Sequence, residues 1–167
     1  YGTPPTGGTV YLTAADASGM MVSYIQSNFA GFGSGVVVER TGISLQNRGY
    51  GFSLNPGHAN VVAPKKRPFH TIIPAFVTRN GRPVMSYGVM GGSMQAQGHT
   101  QVMVRFAGYG QNPQAALDAP RWRVDNGLTV GIEQGLSAQV IAELKPRGHD
   151  ITQADRWSTD FGRAQLI

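Results

Sequence analysis

An Asn80-Gly81 pair lies between two apolar runs, 71–77 and 83–89, and constrains the fold more than any other feature of the sequence. Asn-Gly favours the tight turn that joins antiparallel β-strands. A second pair of strand-like runs, 9–15 and 20–27, is joined by the turn-forming residues Asp16-Ala17-Ser18-Gly19. The sequence therefore predicts two β-hairpins.

Helical spacing begins at Ser93, directly after a Gly91-Gly92 pair, and ends near the glycines at 108–110. Asn112-Pro113 predicts the start of a second helix, and Ser137 the start of a third. Further short strands are predicted at 36–38, 43–45 and 128–133, and 163–167 resemble the start of another. Because most strands occur in consecutive blocks, we expect an α+β fold with an antiparallel sheet layered with helices rather than a βαβ fold.

Composition and charge exclude several classes of function. The chain carries a net charge of +5, but its only basic cluster is Lys65-Lys66-Arg67 between two prolines, so we expect no nucleic-acid partner. No apolar run is long enough for a membrane helix. The absence of cysteine excludes thiolate chemistry, and the spacing of the four histidines predicts no metal site. We expect no cofactor either.

Only 14% of the residues are charged, against about 25% in an average globular domain. We therefore expect part of the surface to lie against another chain. Residues 1–8 are rich in Gly and Pro and predict a flexible segment, and 9–167 predict one domain that is incomplete at its C-terminus. A targeting segment would lie outside this chain, so the compartment, bacterial cytoplasm or periplasm, stays open.

Without a thiol, the candidate nucleophiles are hydroxyl groups. If the Gly8–Thr9 peptide bond were cut, the Thr9 amine would be a base attached to the same residue as its hydroxyl. Gly91-Gly92-Ser93 at a strand-to-helix turn would present N–H groups to a developing oxyanion. The residues alone leave open that Thr9 is simply a good strand former and that the glycine pair only makes a tight turn.

Six segments, taken together, resemble the small subunit of the γ-glutamyltranspeptidase family of N-terminal-nucleophile hydrolases. They lie in the family's order over most of the chain from Thr9 to Gly148. The segments are Thr-Val-Tyr-Leu-Thr-Ala-Ala-Asp at 9–16, Phe-Gly-Ser-Gly at 32–35, Gly-Ile-Ser-Leu-Gln-Asn at 42–47, Lys-Arg-Pro at 66–68, Gly-Gly-Ser at 91–93 and Ala-Pro-Arg at 119–121.

The resemblance implies an αββα sandwich of antiparallel sheets between helix layers, made as the C-terminal part of a larger precursor. It also implies autocatalytic cleavage between Gly8 and Thr9, with the large subunit of the same precursor as the partner. Thr9 would then be the nucleophile, its freed amine the general base, and Gly91 and Gly92 the oxyanion hole.

The resemblance implies supporting or substrate-binding roles for six further residues. Ser27 stands where the family has a hydroxyl near the nucleophile, and Thr13 lies on the same face of the first strand as Thr9 by the period of two. His70-Thr71 occupies the place of two serines that contact the substrate α-carboxylate, while Asn47 and Ser93 belong to matching segments. An ordinary structural role for the Ser27 and Thr13 hydroxyls stays open.

Besides the replacement of the two serines by His70-Thr71, a second departure from the family bears on the substrate. Family members that bind the glutamyl α-amino group carry an acidic pair before a Phe-Ser, and here Tyr50 and Gly51 precede Phe52-Ser53. The resemblance implies hydrolysis or transfer of γ-glutamyl groups, as from glutathione. The alternatives are a cephalosporin- or glutaryl-type amide acylase on the same scaffold, and a catalytically silent homologue.

Overall fold

The computed structural model describes residues 8–156 and 158–167, so the predicted flexible segment lies outside the described residues except for Gly8. The α-helices are α1 Met94–Met103, α2 Pro113–Asp118 and α3 Ala138–Leu144. The strands are β1 Thr9–Ala15, β2 Met21–Ser27, β3 Val37–Val38, β4 Ile43–Ser44, β5 Ala75–Arg79, β6 Arg82–Met90, β7 Trp122–Asn126, β8 Thr129–Ile132, β9 Asp150–Gln153 and β10 Arg163–Leu166. No helix in the described part of the chain is long and apolar enough to cross a membrane.

Both predicted hairpins are confirmed. Strands β1 and β2 pair antiparallel with Thr9 opposite Ser27. Strands β5 and β6 also pair antiparallel, and the turn residues Asn80 and Gly81 both have positive φ, as a tight hairpin turn requires. The predicted C-terminal strand is β10, which pairs with the other edge of β6, so the sheet order is β10-β6-β5.

The two hairpins pack face to face, and α1 covers the far side of the second one. Tyr11 of β1 lies against Gly88 of β6 so closely that a Cβ at Gly88 would be 2.4 Å from the Tyr11 ring. On the opposite face of β6, Val89 contacts Gly98 of α1 and belongs to the buried core with Val102. The layers therefore follow the order helix, sheet, sheet, which confirms the α+β prediction.

The outer face of the β1–β2 hairpin stays open among the described residues. Its apolar side chains are exposed, from 46% for Tyr24 to 62% for Val10, with Leu12 and Val22 between them. These side chains alternate with the inward-facing ones along each strand. An apolar sheet face of this kind is typical of a surface that another chain covers.

A second three-stranded sheet, of order β7-β8-β9, differs from the prediction. Neither β7 nor β9 was expected, and β9 pairs parallel with β8 rather than antiparallel. The reason is the helix between them, because a chain that leaves β8, forms α3 and turns back at Gly148, with φ of 90°, makes a parallel crossover.

Two predicted elements are shorter than expected. The run 71–77 forms a strand only from Ala75, since Pro74 has no N–H to donate to the ladder. The helix predicted to continue from Ser93 to about 108 changes to a π-helical turn at Val104–Gly108. The second helix begins as predicted, because the Asn112 side chain accepts a hydrogen bond from the Ala115 N–H.

His99 of α1 is buried in the neutral form. Its Nδ1 lies 2.6 Å from the Gln95 carbonyl oxygen, and its Nε2 accepts a hydrogen bond from the Val89 N–H at 3.3 Å. One ring nitrogen thus donates and the other accepts. Burial lowers the pKa of His99 below its usual value, because a charged ring would lose its hydration in the core. A protonated Nε2 would also no longer accept the hydrogen bond from the Val89 N–H.

We expect this lowered pKa to make stability depend on pH. Below about pH 6.5 the unfolded chain binds a proton at His99, whereas the folded protein keeps the ring neutral. The contribution of His99 to the free energy of unfolding therefore decreases as the pH falls below about 6.5, and it is constant above that pH. In the full-length protein, the urea midpoint should fall less steeply between about pH 7 and 5 in His99→Gln than in the wild type. Replacing the exposed His70 with Gln is the control and should leave the slope unchanged. Equal slopes for all three proteins would contradict the assignment.

Candidate active site

Thr9 lies at the first position of β1, where its hydroxyl is held by the neighbouring strand. Its Oγ1 donates a hydrogen bond to Ser27 Oγ at 3.0 Å, which follows from the pairing of Thr9 with Ser27 in the hairpin. Ser27 Oγ also accepts a hydrogen bond from the Phe29 N–H at 2.9 Å. The Thr9 side chain is therefore oriented by a hydroxyl that is itself fixed by the backbone.

The Gly91-Gly92 turn joins the end of β6 to the start of α1. Its backbone has φ of 139° at Gly91 and 58° at Gly92, and a Cβ at Gly91 would be 2.8 Å from the Gly162 Cα. The Thr71 hydroxyl donates to the Gly92 carbonyl oxygen at 2.6 Å, which fixes this peptide from the other side. A tethered turn at a helix start can present N–H groups to a negatively charged oxygen.

Thr9 and this turn line one cavity of about 860 Å³, together with Ser93. A nucleophile and oxyanion donors facing the same space are the geometry that acyl transfer needs. No histidine lines this cavity among the described residues, and its carboxylates Asp125 and Asp160 both lie within 4 Å of the Arg123 guanidinium, at 2.5 and 3.9 Å. The described lining therefore offers neither a histidine nor an unpaired carboxylate as a general base.

Two further arginines line the cavity without a carboxylate partner among the described residues. Arg48 lies with its guanidinium carbon 5.3 Å from the centre of the Phe29 ring. Burial lowers the pKa of Arg48, but a guanidinium stays protonated at any physiological pH. Arg163 opens β10 and is exposed. The cavity thus holds three cations and two anions.

Some of the other predicted site residues support the backbone around the cavity, and others lie away from it. The Asn47 side chain does not line the cavity; it bonds the backbone of Ala30 and of Gly33 and so holds the loop after β2. Thr71 supports the glycine turn, as described above. His70 is exposed and lies outside the cavity lining, and the Thr13 hydroxyl contacts Ser86 between the two sheets rather than Thr9.

Sequence reasoning missed the support behind Gly91. Gly162, with φ of 74°, packs against Gly91, and its carbonyl oxygen accepts a hydrogen bond from Arg121 Nη1 at 2.8 Å. Arg121 in turn forms a two-pronged ion pair with Glu133, with N···O distances of 3.1 and 2.8 Å. Arg121 lies in the Ala-Pro-Arg segment, but no local signal links Gly162 to a turn so distant in sequence.

Known proteins resemble this chain in both sequence and fold. A family model described as Gamma-glutamyltranspeptidase matches residues 1–167. A crystal structure of a cephalosporin acylase from Bacillus halodurans is 54% identical with a TM-score of 0.87, over 94% of this chain and 29% of that one. The antiparallel sheets layered with helices thus match a solved fold closely, which confirms the predicted fold class.

Two curated relatives carry names of precursors. A glutathione hydrolase-like YwrD proenzyme of Bacillus subtilis is 41% identical over 166 residues, 95% of this chain and 31% of the relative. An oxamate amidohydrolase proenzyme of Klebsiella pneumoniae is 40% identical over 168 residues, 96% of this chain and 31% of the relative. The chain therefore spans about a third of the length of these two relatives.

Proposed function

Because the chain belongs to the gamma-glutamyltranspeptidase family, we propose that residues 9–167 are the nucleophile-bearing part of a proenzyme that cleaves itself and then transfers or hydrolyses acyl groups. The observation that carries this proposal is the shared cavity, which Thr9 and the tethered Gly91-Gly92 turn line together. The proenzyme names of the two curated relatives support the same proposal.

Self-cleavage would use only atoms of this chain and water. Thr9 Oγ1 attacks the Gly8 carbonyl carbon, the C–N bond breaks, and the proton passes to the leaving Thr9 nitrogen, which gives an ester at Thr9. Water then hydrolyses the ester, leaving a carboxylate at Gly8 and restoring the Thr9 hydroxyl. Gly8 has no side chain to shield its carbonyl, and the hydrogen bond to Ser27 holds the attacking oxygen.

In turnover, the freed Thr9 amine serves as the general base for its own hydroxyl. Thr9 Oγ1 attacks the substrate amide carbon, the Gly91-Gly92 turn stabilises the oxyanion, and the amine leaving group takes the proton. Water or an acceptor amine then resolves the acyl-enzyme. The lack of any other unpaired base among the described cavity residues supports this assignment.

The partner in this proposal is the rest of the precursor, its large subunit. The open outer face of the β1–β2 hairpin is the surface we assign to it, because an αββα sandwich needs a helix layer there. Its exposed apolar side chains support the assignment.

γ-Glutamyl compounds such as glutathione are one substrate class, and amides of acyl groups without an α-amino group are the second. A specific observation favours the second class. Tyr50 and Gly51 offer no carboxylate where an α-ammonium group would need one, and the described carboxylates of the cavity are held by Arg123. The names of the relatives divide between the two classes: the glutathione hydrolase-like proenzyme supports the first, and the cephalosporin acylase and the oxamate amidohydrolase proenzyme support the second.

Two anilides that differ only in the α-ammonium group test the choice. We expect the processed protein to cleave glutaryl-p-nitroanilide with a kcat/KM at least equal to that for γ-glutamyl-p-nitroanilide. The reason is that the described cavity has no unpaired carboxylate to bind the α-ammonium group of the γ-glutamyl substrate. Initial rates at several concentrations give both values. A preference of tenfold or more for the γ-glutamyl anilide would instead favour the first class.

A further inference from the structure

Arg48 occupies an unusual position beside the nucleophile. It begins the 3-10 turn Arg48–Gly51, is half-buried, and lies over the Phe29 ring in the cavity that Thr9 lines. Asn47, its neighbour, fastens the turn to the loop after β2 through three side-chain hydrogen bonds. The position of the guanidinium is therefore set by the fold rather than by an ion pair.

Contacts link Arg48 to the nucleophile in two steps. The Phe29 N–H donates to Ser27 Oγ, and Ser27 Oγ accepts the hydrogen bond from Thr9. The Phe29 ring then supports the Arg48 guanidinium. An arginine that rests one face on an aromatic ring keeps its N–H edges available, and those edges match the two oxygens of a carboxylate.

The balance of charge in the cavity favours an anion. Arg123 is already paired with Asp125 and Asp160, whereas Arg48 has no carboxylate within 4 Å among the described residues. A half-buried cation without a partner attracts an anionic ligand more strongly than an exposed one, because less water screens it.

We propose that Arg48 is a specificity-determining residue that binds a carboxylate on the acyl group of the substrate, so that the preferred donors are amides of dicarboxylic acids. This inference rests on the proposed acyl transfer at Thr9. It assigns the anionic end of the substrate to the side of the cavity formed by Arg48 and Phe29.

Arg163 provides the matched control. It contributes the same charge to the same cavity, but it lies exposed at the start of β10 and no aromatic ring supports it among the described residues. If only the overall positive charge attracts the substrate, removal of either arginine should have the same effect. If Arg48 makes the contact, its removal should have the larger effect.

The test compares glutaryl- with pentanoyl-p-nitroanilide, which have equal chain lengths and differ by a carboxylate in place of a methyl group. For the processed full-length protein we expect a preference of at least about tenfold for the glutaryl substrate, the factor that corresponds to one charge-assisted hydrogen bond. Arg48→Gln should abolish the preference by lowering kcat/KM for glutaryl alone. Arg48→Lys should keep part of it, and Arg163→Gln should change it by less than about threefold.

The rate on the pentanoyl substrate checks that each variant is folded and processed. Equal losses of preference in Arg48→Gln and Arg163→Gln, or an unchanged preference in Arg48→Gln, would overturn the inference. A wild type without preference for the glutaryl substrate would overturn it as well.

A binding measurement separates this inference from the proposed function. Calorimetry with glutarate and with pentanoate, the products of the two hydrolyses, compares the same two end groups and involves no amide bond that the protein could cleave. If the wild type cleaves no anilide but binds glutarate at least tenfold more tightly than pentanoate, and Arg48→Gln loses that difference, the proposed reaction fails while the carboxylate site stands. If Arg48→Gln binds glutarate as the wild type does, the carboxylate site fails.

Discussion

Thr9→Ala is expected to leave the full-length precursor uncut and to abolish amide hydrolysis. The variant lacks the oxygen that would attack Gly8, and an uncut chain has no free amine at residue 9. We expect the rate on glutaryl-p-nitroanilide to fall by at least about 10⁴-fold, as is usual when a hydroxyl nucleophile is removed. Thr9→Ser keeps the oxygen but loses the methyl group that restricts its rotamer, so cutting should continue slowly.

Thr78→Ala is the control for this experiment, since Thr78 is an exposed threonine on β5 and lies outside the cavity lining. It should be cut and active like the wild type. Gel electrophoresis over time gives the cutting rate of each protein, and the anilide assay gives its activity. Processing of Thr9→Ala at the normal rate would show that another residue attacks the Gly8–Thr9 bond.

Gly162→Ala is expected to destabilise the protein and to impair the site together. Gly162 has φ of 74°, and a Cβ there would be 1.8 Å from the Met90 carbonyl oxygen, so the strand end and the Gly91 turn must move. The positive φ costs on the order of 1 kcal/mol, and displacement of packed backbone adds about 1–3 kcal/mol. Activity should fall further than stability alone explains, because the displaced turn is the one that faces Thr9.

Gly110→Ala separates the cost of the positive φ from the cost of displacing packed backbone. Gly110 has φ of 64° and nothing within 4 Å of an added Cβ, so this substitution carries the backbone strain without the collision. Thermal unfolding and anilide hydrolysis of both full-length variants give the comparison. Equal losses of stability, with normal activity in Gly162→Ala, would contradict the view that Gly162 supports the glycine turn.

Local turn chemistry explains why much of the fold was predictable. Asn80-Gly81 determines its own hairpin, and Asn112-Pro113 determines the start of α2, because both depend on residues adjacent in sequence. The register of the other hairpin, β1–β2, brings Thr9 opposite Ser27. Strand β9 depends instead on a distant partner, β8, and its sequence carries no sign of that pairing.

Only part of the candidate site was predictable, because many of its contacts join residues that are far apart in sequence. Thr13 lies on the same strand face as Thr9, but four residues along a strand place it about 13 Å away, and there its hydroxyl meets Ser86. Arg48 and Gly162 escaped prediction because their roles arise from contacts across the fold, with Phe29 in one case and with Gly91 in the other.

The most direct test of the central claim, that this chain carries a self-cleaving threonine nucleophile, is the intact mass of the purified full-length parent protein. We expect two fragments, the smaller beginning at Thr9, and the sequence of its first residues identifies that start. A single uncut mass that persists on prolonged incubation would contradict the claim. It would favour a catalytically silent homologue in which the Thr9 nitrogen stays in its peptide bond.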